Sequence, residues 1–286
     1  MLPYYVTPEF LDQFIRSAFT EDIGEGDHST LAVIPPDTRK KARLLVKEDG
    51  ILAGVSVAER VFHFLDPALR LDVKLGDGAS VKEGDIAFTV EGSAQSILTA
   101  ERLVLNCMQR MSAIATKTRY LGSLIEGTGA KILDTRKTTP NFRLLEKWAV
   151  LLGGGLNHRI GLFDMIMLKD NHIDMAGGIE QAIIRTKDYL RARNKKLQIE
   201  IETRTLAEVK EVLRVGGVNI IMLDNMDLAT MTTAVSLIDG KYKTEASGGV
   251  TEETIRSIAE CGVDFISVGA LTHSIKSLDL SLKAYS

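Results

Sequence analysis

The sequence predicts an α/β fold in which an incomplete parallel barrel follows an antiparallel, hairpin-rich region. Strand-like and helix-like segments alternate from residue 131 to residue 273. This alternation is typical of parallel sheets whose strands are joined by helices. Six strand candidates are visible there, which is too few for a closed eight-stranded barrel. The sequence therefore favours an open or modified barrel.

The N-terminal region carries helix and hairpin signals. Thr7 followed by Pro8 is typical of a helix start, and residues 21–30 have the composition of a polar loop. Short alternating runs with Asp-Gly turns follow, and they predict antiparallel strands. Residues 55–65 interrupt them with a helical pattern. A longer helical pattern begins at Ser96, and we expect it to break near Ser112. The alternating C-terminal residues predict one further strand.

Composition restricts the function. The chain has 286 residues, is 45% apolar and carries a net charge of −3, which argues against a general nucleic-acid or membrane-surface binder. No apolar run is long enough to span a bilayer, and no signal peptide is recognised, so we expect a cytoplasmic protein. Two isolated cysteines without a CxxC motif predict buried thiols and no structural zinc site.

Cations are concentrated between Lys131 and His172 in spite of the negative net charge. They lie at or just beyond places where apolar, strand-like runs end, and a Gly-Gly-Gly loop lies among them. They are Arg136, Lys137, Arg143, His158, Arg159 and Lys169. Because barrel active sites are built from the loops after the strands, this cluster predicts a pocket for a small anionic ligand.

Carboxylates end the next two strand candidates. Glu200 and Glu202 are two residues apart and so face the same side of a strand, while Asp224 ends the following strand. Such carboxylates hold ribose hydroxyls, bind Mg²⁺ or pair with lysines, and the sequence alone leaves these alternatives open.

Glycine turns follow the last two strand candidates. Ser247-Gly248-Gly249, followed by a helix that we expect to begin at Thr251, is typical of a phosphate site, and Gly269-Ala270 forms a second turn. A plain tight turn is the alternative. His158 is likewise either structural or ligand-facing, and Arg102 either belongs to a solvated helix face or has a role in binding.

Nine motifs, taken together, resemble the nicotinate-nucleotide pyrophosphorylase (quinolinate phosphoribosyltransferase) family. They are EDIGEGDHST, TAERLVLNCMQRMSAIAT, DTRKTTP, GGGLNHR, MLKDNH, IEIE, MLDN, EASGGV and DFISVGALTHS. The resemblance implies a reaction of quinolinate with phosphoribosyl pyrophosphate that gives nicotinate mononucleotide, pyrophosphate and CO₂, with Mg²⁺. It also implies a homodimer.

The implied fold is an open, incomplete, TIM-like α/β barrel with an N-terminal α/β sandwich domain. We predict the sandwich domain at residues 1–113, the barrel at residues 114–272 and a C-terminal segment at residues 273–286 that returns to the N-terminal domain.

The resemblance also implies roles for individual residues. Quinolinate would be bound by Arg136, His158 and Arg159, with Lys137 and Lys169 between the two substrates and Arg102 donated by the partner subunit. Glu202 and Asp224 would lie near the ribose and the metal. The remaining substrate-binding residues would be Thr135, Ser247, Gly248, Gly249, Val268, Gly269 and Ala270.

Two positions depart from the family pattern. Ala113 and Asn141 stand where many members have glycine, and asparagine tolerates the left-handed conformation that such a turn requires. The alternatives are a paralogous phosphoribosyltransferase of the molybdenum-transport-linked type, a Schiff-base aldolase that uses Lys169, and a non-catalytic anion-binding protein.

Overall fold

The computed structural model describes residues 2–285. The elements of the first part, in chain order, are α1 (Pro8–Ile23), α2 (His28–Val33), β1 (Arg39–Val46), β2 (Gly50–Ile51), α3 (Val55–Leu65), β3 (Arg70–Val73), β4 (Ser80–Val81), β5 (Ile86–Ser93) and α4 (Ala94–Leu124).

Strands and helices then alternate, as predicted. The elements are β6 (Lys131–Leu133), α5 (Arg143–Leu152), β7 (Ile166–Leu168), α6 (Asp170–Ala176), α7 (Ile179–Ala192), β8 (Ile199–Thr203), α8 (Leu206–Val215), β9 (Ile220–Asp224), α9 (Leu228–Ile238), β10 (Lys243–Ser247), α10 (Ile255–Glu260), β11 (Phe265–Ser267), α11 (Ala270–His273) and β12 (Leu280–Tyr285). Within residues 2–285, no helix is both long and apolar enough to span a lipid bilayer.

The chain forms two compact units. The first comprises Met1–Arg119, Thr138–Gly154 and Ala270–Ser286, and the second comprises Tyr120–Lys137 and Gly155–Gly269. These units do not follow single stretches of sequence, so the boundaries predicted after residues 113 and 272 stay predictions.

The first unit is built on an antiparallel sheet with strand order β12-β1-β5-β3. The final strand pairs with β1 from Lys41↔Tyr285 to Val46↔Leu280. Helix α3 lies over the sheet, and its Phe62 meets Phe88 of β5 edge to face, with ring centroids 6.1 Å apart. Helix and sheet thus share an apolar core, as predicted for a sandwich of the two.

Two local predictions in this unit are wrong. Residues 21–30 are not simply a loop, because Asp27 accepts a hydrogen bond from the Thr30 N–H at 3.0 Å and caps α2. Helix α4 runs without a break through Ser112. The Ser112 hydroxyl accepts from the Ala53 N–H at 2.9 Å and donates to the Ala53 carbonyl at 3.1 Å, so this polar residue lies inside the helix without ending it.

The Ser112 hydroxyl should contribute measurably to stability, because its loss leaves two buried backbone groups of Ala53 without their partner. We expect Ser112→Ala to lower the free energy of unfolding by about 1–3 kcal/mol. Urea denaturation would measure the change. Ser123→Ala, at an exposed position of the same helix, should change it by no more than about 0.5 kcal/mol. Equal effects of the two substitutions would contradict this account.

The second unit contains six parallel strands in the order β6-β11-β10-β9-β8-β7. Strands β6 and β7 do not pair, so the sheet is open, and the predicted incomplete barrel is confirmed. All five residues of β8 are buried, including Glu200 and Glu202. Carboxylates therefore lie inside a sheet whose other positions are mainly apolar.

Candidate active site

The carboxyl ends of the six parallel strands form one edge of the second unit. Most of the predicted site residues lie at this edge or just beyond it, in the order in which the strands supply them. They are Thr135, Arg136 and Lys137 after β6, Lys169 after β7, Glu202 in β8, Asp224 in β9, Ser247, Gly248 and Gly249 at the end of β10, and Val268 and Gly269 after β11.

His158 and Arg159 reach this edge through a strand-like segment beside β6. The Leu156 N–H donates to the Ile132 carbonyl at 2.9 Å, and the Asp134 N–H donates to the Leu156 carbonyl at 3.2 Å. Buried Asp134 then accepts from the Asn157 side chain at 2.6 Å and from the His158 N–H at 2.9 Å. Asp134 therefore fixes the backbone from which the two predicted ligand-binding side chains leave.

The His158 ring lies against two buried glutamates. Its Nε2 atom is 2.8 Å from Oε2 of Glu200 and 3.4 Å from Oε2 of Glu245. Both carboxylates are inaccessible to solvent, and the histidine side chain is 7% exposed. The three side chains come from β8, from β10 and from the segment beside β6.

Two interactions favour different protonation states of the His158 ring. The Arg159 N–H points at Nδ1 from 2.8 Å, which requires an unprotonated Nδ1. Burial favours the neutral ring, but Glu200 and Glu245 outweigh it and raise the pKa of His158 to about 10. A buried carboxylate that loses its charged partner costs about 3–5 kcal/mol, whereas one neutral hydrogen bond contributes about 1 kcal/mol. The glutamates therefore favour the imidazolium, while burial also raises the pKa of Glu200 to about 7 and so opposes a full negative charge on that carboxyl group.

Protonation of His158 should make stability depend on pH. Since its pKa is raised on folding, the stabilisation is fully present below about pH 6.5 and is lost as the pH rises through about 10. We expect the stability difference between the parent and His158→Gln to shrink over that range, as followed by urea denaturation. His28→Gln, at an exposed histidine of α2, is the control. A difference that stays constant with pH would contradict the assignment.

Positive charge is crowded beside this cluster. Partial burial and the nearby charge of Arg136 lower the pKa of Arg159, while Glu200 and Asp164 act in the opposite direction. Arg159 donates to the Met165 carbonyl at 3.4 Å, and Asp164 accepts the N–H groups of Ile160 and Gly161. Two neighbouring guanidinium groups repel each other, and a bound anion would relieve that repulsion.

Negative charge is crowded on the adjoining strands. Burial and the charges of Asp224 and Asp170 raise the pKa of Glu202, and Lys169 partly offsets them. Mg²⁺ prefers carboxylate oxygens as ligands, and Glu202 and Asp224 offer such oxygens at the ends of two neighbouring strands. These two residues therefore fit the predicted metal. Among the described residues, a separate group also has the side chains of a metal site, since its potential ligand atoms all lie within 4.8 Å of one another. This group consists of His158, Glu200 and Glu245.

The Ser-Gly-Gly turn after β10 packs tightly against the turn after β9. Gly248 has φ 97°, and a Cβ atom there would lie 2.2 Å from the Asn225 side-chain oxygen. The Asn225 N–H donates to the Ser247 carbonyl at 2.9 Å. The predicted helix start at Thr251 is wrong, because α10 begins at Ile255. Residues 252–254 instead form a turn, so the glycines are followed by a turn and not directly by a helix.

Two predicted site residues belong to the first unit. Arg102 is exposed on α4 in a cleft of about 770 Å³, and Ala270 begins α11. The cleft is also lined by the loop that contains Asn141, which has φ 62° as the glycine departure predicts. Arg110 and the Thr139 N–H bind the same carboxylate, that of Glu146, and thereby hold this loop.

Sequence reasoning missed the relation between His158, Glu200 and Glu245. Both glutamates are visible in the sequence as charged residues within strand candidates, and Glu200 is predicted to face the same side of its strand as Glu202. Their common partner could not be found without the strand register. Both cysteines are buried thiols, as predicted.

Fold and site together define an open α/β-barrel protein with cationic and acidic side chains at the carboxyl edge of its sheet. Two family models match the chain. The model described as "Quinolinate phosphoribosyl transferase, N-terminal domain" matches residues 27–112, and the corresponding C-terminal domain model matches residues 114–283. The chain belongs to the quinolinate phosphoribosyltransferase family, as the sequence motifs predict.

Similarity to individual members extends over nearly the whole chain. The chloroplastic nicotinate-nucleotide pyrophosphorylase [carboxylating] of Arabidopsis thaliana is 49% identical, over 96% of this chain and 82% of that protein. A probable enzyme of the same name from Synechocystis is 43% identical, over 96% and 92%. The crystal structure of NadC from Streptococcus pyogenes superposes with a TM-score of 0.92 at 39% identity and covers 99% of this chain and 100% of that chain.

Proposed function

We propose that this chain is a decarboxylating quinolinate phosphoribosyltransferase of de novo NAD synthesis. It would convert quinolinate and phosphoribosyl pyrophosphate into nicotinate mononucleotide, pyrophosphate and CO₂. The observation that carries the proposal is the carboxyl edge of the parallel sheet. Lys169 follows β7 beside the carboxylates of β8 and β9, and Arg136 and Lys137 follow β6 at the other end of the strand order. The names of the relatives support the same reaction.

The cationic half of the edge suits a pyridine dicarboxylate. Arg136 and Arg159 provide planar guanidinium groups, each of which can bind a carboxylate through two hydrogen bonds. His158 adds a third positive charge. Lys137 and Lys169 are exposed and would lie between the two substrates.

The anionic half suits the sugar. Displacement of pyrophosphate develops positive charge at the ribose C1′, which Glu202 and Asp224 would stabilise electrostatically. Lysine side chains and the glycine turns would bind the negatively charged phosphates. Glu202 and Asp224 would hold Mg²⁺, which would supply positive charge near the phosphates.

Loss of CO₂ requires little from the protein after this step. Attachment of the ribose makes the ring nitrogen cationic, and this charge stabilises the electron pair that stays on the adjacent ring carbon when CO₂ leaves. A proton from solvent then takes the place of the carboxyl group on that carbon. The arginines would hold the diacid in place while the site excludes water. No covalent enzyme intermediate is needed.

The two lysines provide a direct test. We expect Lys137→Ala and Lys169→Ala each to lower kcat by about 100-fold or more, since each removes a charge that faces the departing pyrophosphate. Mononucleotide formation from quinolinate, phosphoribosyl pyrophosphate and Mg²⁺ would be measured. Lys196→Ala, in the exposed loop before β8, is the control. Near-parental rates in both site variants would refute these roles. A separate assay of the parent protein with nicotinate in place of quinolinate tests the alternative of a paralogous phosphoribosyltransferase.

Arg102 is proposed to act in a homodimer, at the site of the partner subunit. Heterodimers of Arg102→Ala and Arg136→Ala chains should then regain activity, because one of their two sites would carry both arginines. The two homodimers should be inactive. Activity of tagged, purified heterodimers is the measurement, and no recovery in them would exclude sharing of Arg102.

The cytoplasmic location stays a prediction. Relatives named in the comparisons include chloroplastic and mitochondrial proteins, so location varies among similar chains. Fractionation of cells that express the chain would determine it.

A further inference from the structure

Asn225 is a residue to which the proposed reaction gives no role, and its backbone conformation is unusual. It lies directly after β9 with φ 53°, in the left-handed region that few residues other than glycine adopt. Asn194 and Asp239, elsewhere in the second unit, also have a positive φ, but both lie at the C-terminal ends of helices, where this conformation is common. Asn225 ends no helix, so its conformation has another reason.

The side chain of Asn225 contacts a predicted site residue. Glycine would adopt the same backbone conformation without strain, so the reason for an asparagine lies in its amide group. The Nδ2 atom donates to Oδ2 of Asp224 at 2.7 Å. Asp224 is the carboxylate that the proposed reaction places beside the ribose. Hydrogen bonds from neighbouring side chains fix the orientation of a binding carboxylate, and Asn225 provides such a bond.

Asn225 also contacts the glycine turn after β10. Its N–H donates to the Ser247 carbonyl at 2.9 Å, one residue beyond the pairing of Asp224 with Ser247 in the sheet. Its side-chain oxygen occupies the space in which a Cβ atom of residue 248 would lie, and glycine leaves that space free. Backbone and side chain of Asn225 therefore hold the turn against the end of β9.

We propose that Asn225 is a positioning residue that fixes the distance between the Asp224 carboxylate and the Ser247-Gly248-Gly249 turn. A phosphorylated pentose carries hydroxyl groups on its ring and a phosphate at one end. The carboxylate suits the hydroxyl groups, and the backbone N–H groups of the turn suit the phosphate. The inference rests on the proposed function, because the ligand is the ribose 5-phosphate part of phosphoribosyl pyrophosphate.

Ribose 5-phosphate is a direct probe of this role, and isothermal titration calorimetry would measure its binding. We expect Asn225→Gly, which keeps the backbone conformation and removes the side chain, to bind it about tenfold more weakly than the parent. Asn194→Gly makes the same change at an exposed position with φ 49° and should bind as the parent does. Parental affinity in Asn225→Gly, or a parent that does not bind the probe, would overturn the proposal.

Quinolinate distinguishes positioning from a general loss of structure. Since Asn225 acts on the groups that bind the sugar, Asn225→Gly should bind quinolinate as the parent does. Equal weakening of both ligands would indicate a merely structural role and would overturn the proposal. If Asn225→Gly does not fold, as judged by circular dichroism, Asn225→Asp takes its place with the same expected result. Aspartate also tolerates a positive φ, but it offers Asp224 an oxygen in place of the Nδ2 donor.

A double-mutant cycle tests the packing of Asn225 against Gly248. In the parent, Gly248→Ala should weaken binding of ribose 5-phosphate for two reasons. The new Cβ atom displaces the Asn225 side chain, and alanine is strained at φ 97°. In the Asn225→Gly background only the strain remains, so the additional loss should be smaller. Equal losses in the two backgrounds would also overturn the proposal.

Mononucleotide formation tests the proposed function separately. A parent that binds ribose 5-phosphate but forms no mononucleotide from quinolinate and phosphoribosyl pyrophosphate would refute the proposed reaction and leave the role of Asn225 intact. An active parent whose KM for phosphoribosyl pyrophosphate is unchanged by Asn225→Gly would refute the inference alone.

Discussion

The pairing of one histidine with two buried glutamates is the interaction on which the site depends. A parallel sheet that is covered on its faces normally has an apolar interior, and this sheet contains Glu200, Glu202 and Glu245. Such charges are tolerated only with a compensating positive charge. His158 supplies it to two of them, which ties the strand-like segment beside β6 to strands β8 and β10. The segment that carries His158 and Arg159 is thus held against the interior of the sheet.

Much of the fold follows from local sequence. Helix α3 has the predicted bounds because its apolar residues recur at helical spacing between two clear turns. The six strands of the barrel were predicted because each is a short apolar run that ends in polar residues. The errors at Ser112 and at residues 21–30 have one cause. A hydroxyl or carboxylate that satisfies a distant or capping N–H cannot be distinguished from a helix breaker by spacing alone.

The site was predictable where position along a strand was sufficient. Lys169, Glu202 and Asp224 end neighbouring strands, and parallel strands bring their ends to one edge. The contact between His158 and Glu245 depends instead on the register of three strands, β6, β11 and β10, and on a segment without regular periodicity. Asn225 against Gly248 is similar, since the reason for the glycine lies in another loop. The local sequence pattern identifies the predicted ligand-binding residues. The residues that contact them and fix their positions come from other strands and loops, so they are found only in the tertiary structure.

The open side of the barrel has a consequence for solubility. Strand β6 is hydrogen bonded to β11 on one edge, and on its other edge it meets the short segment at Leu156. An uncovered edge strand is a template for association with other chains, and proteins commonly shield such edges. The residues that lead into His158 therefore cover an edge that could otherwise pair with a strand of another chain. Substitutions in this segment should therefore alter two properties at once, the placement of His158 and Arg159 and the covering of the strand edge.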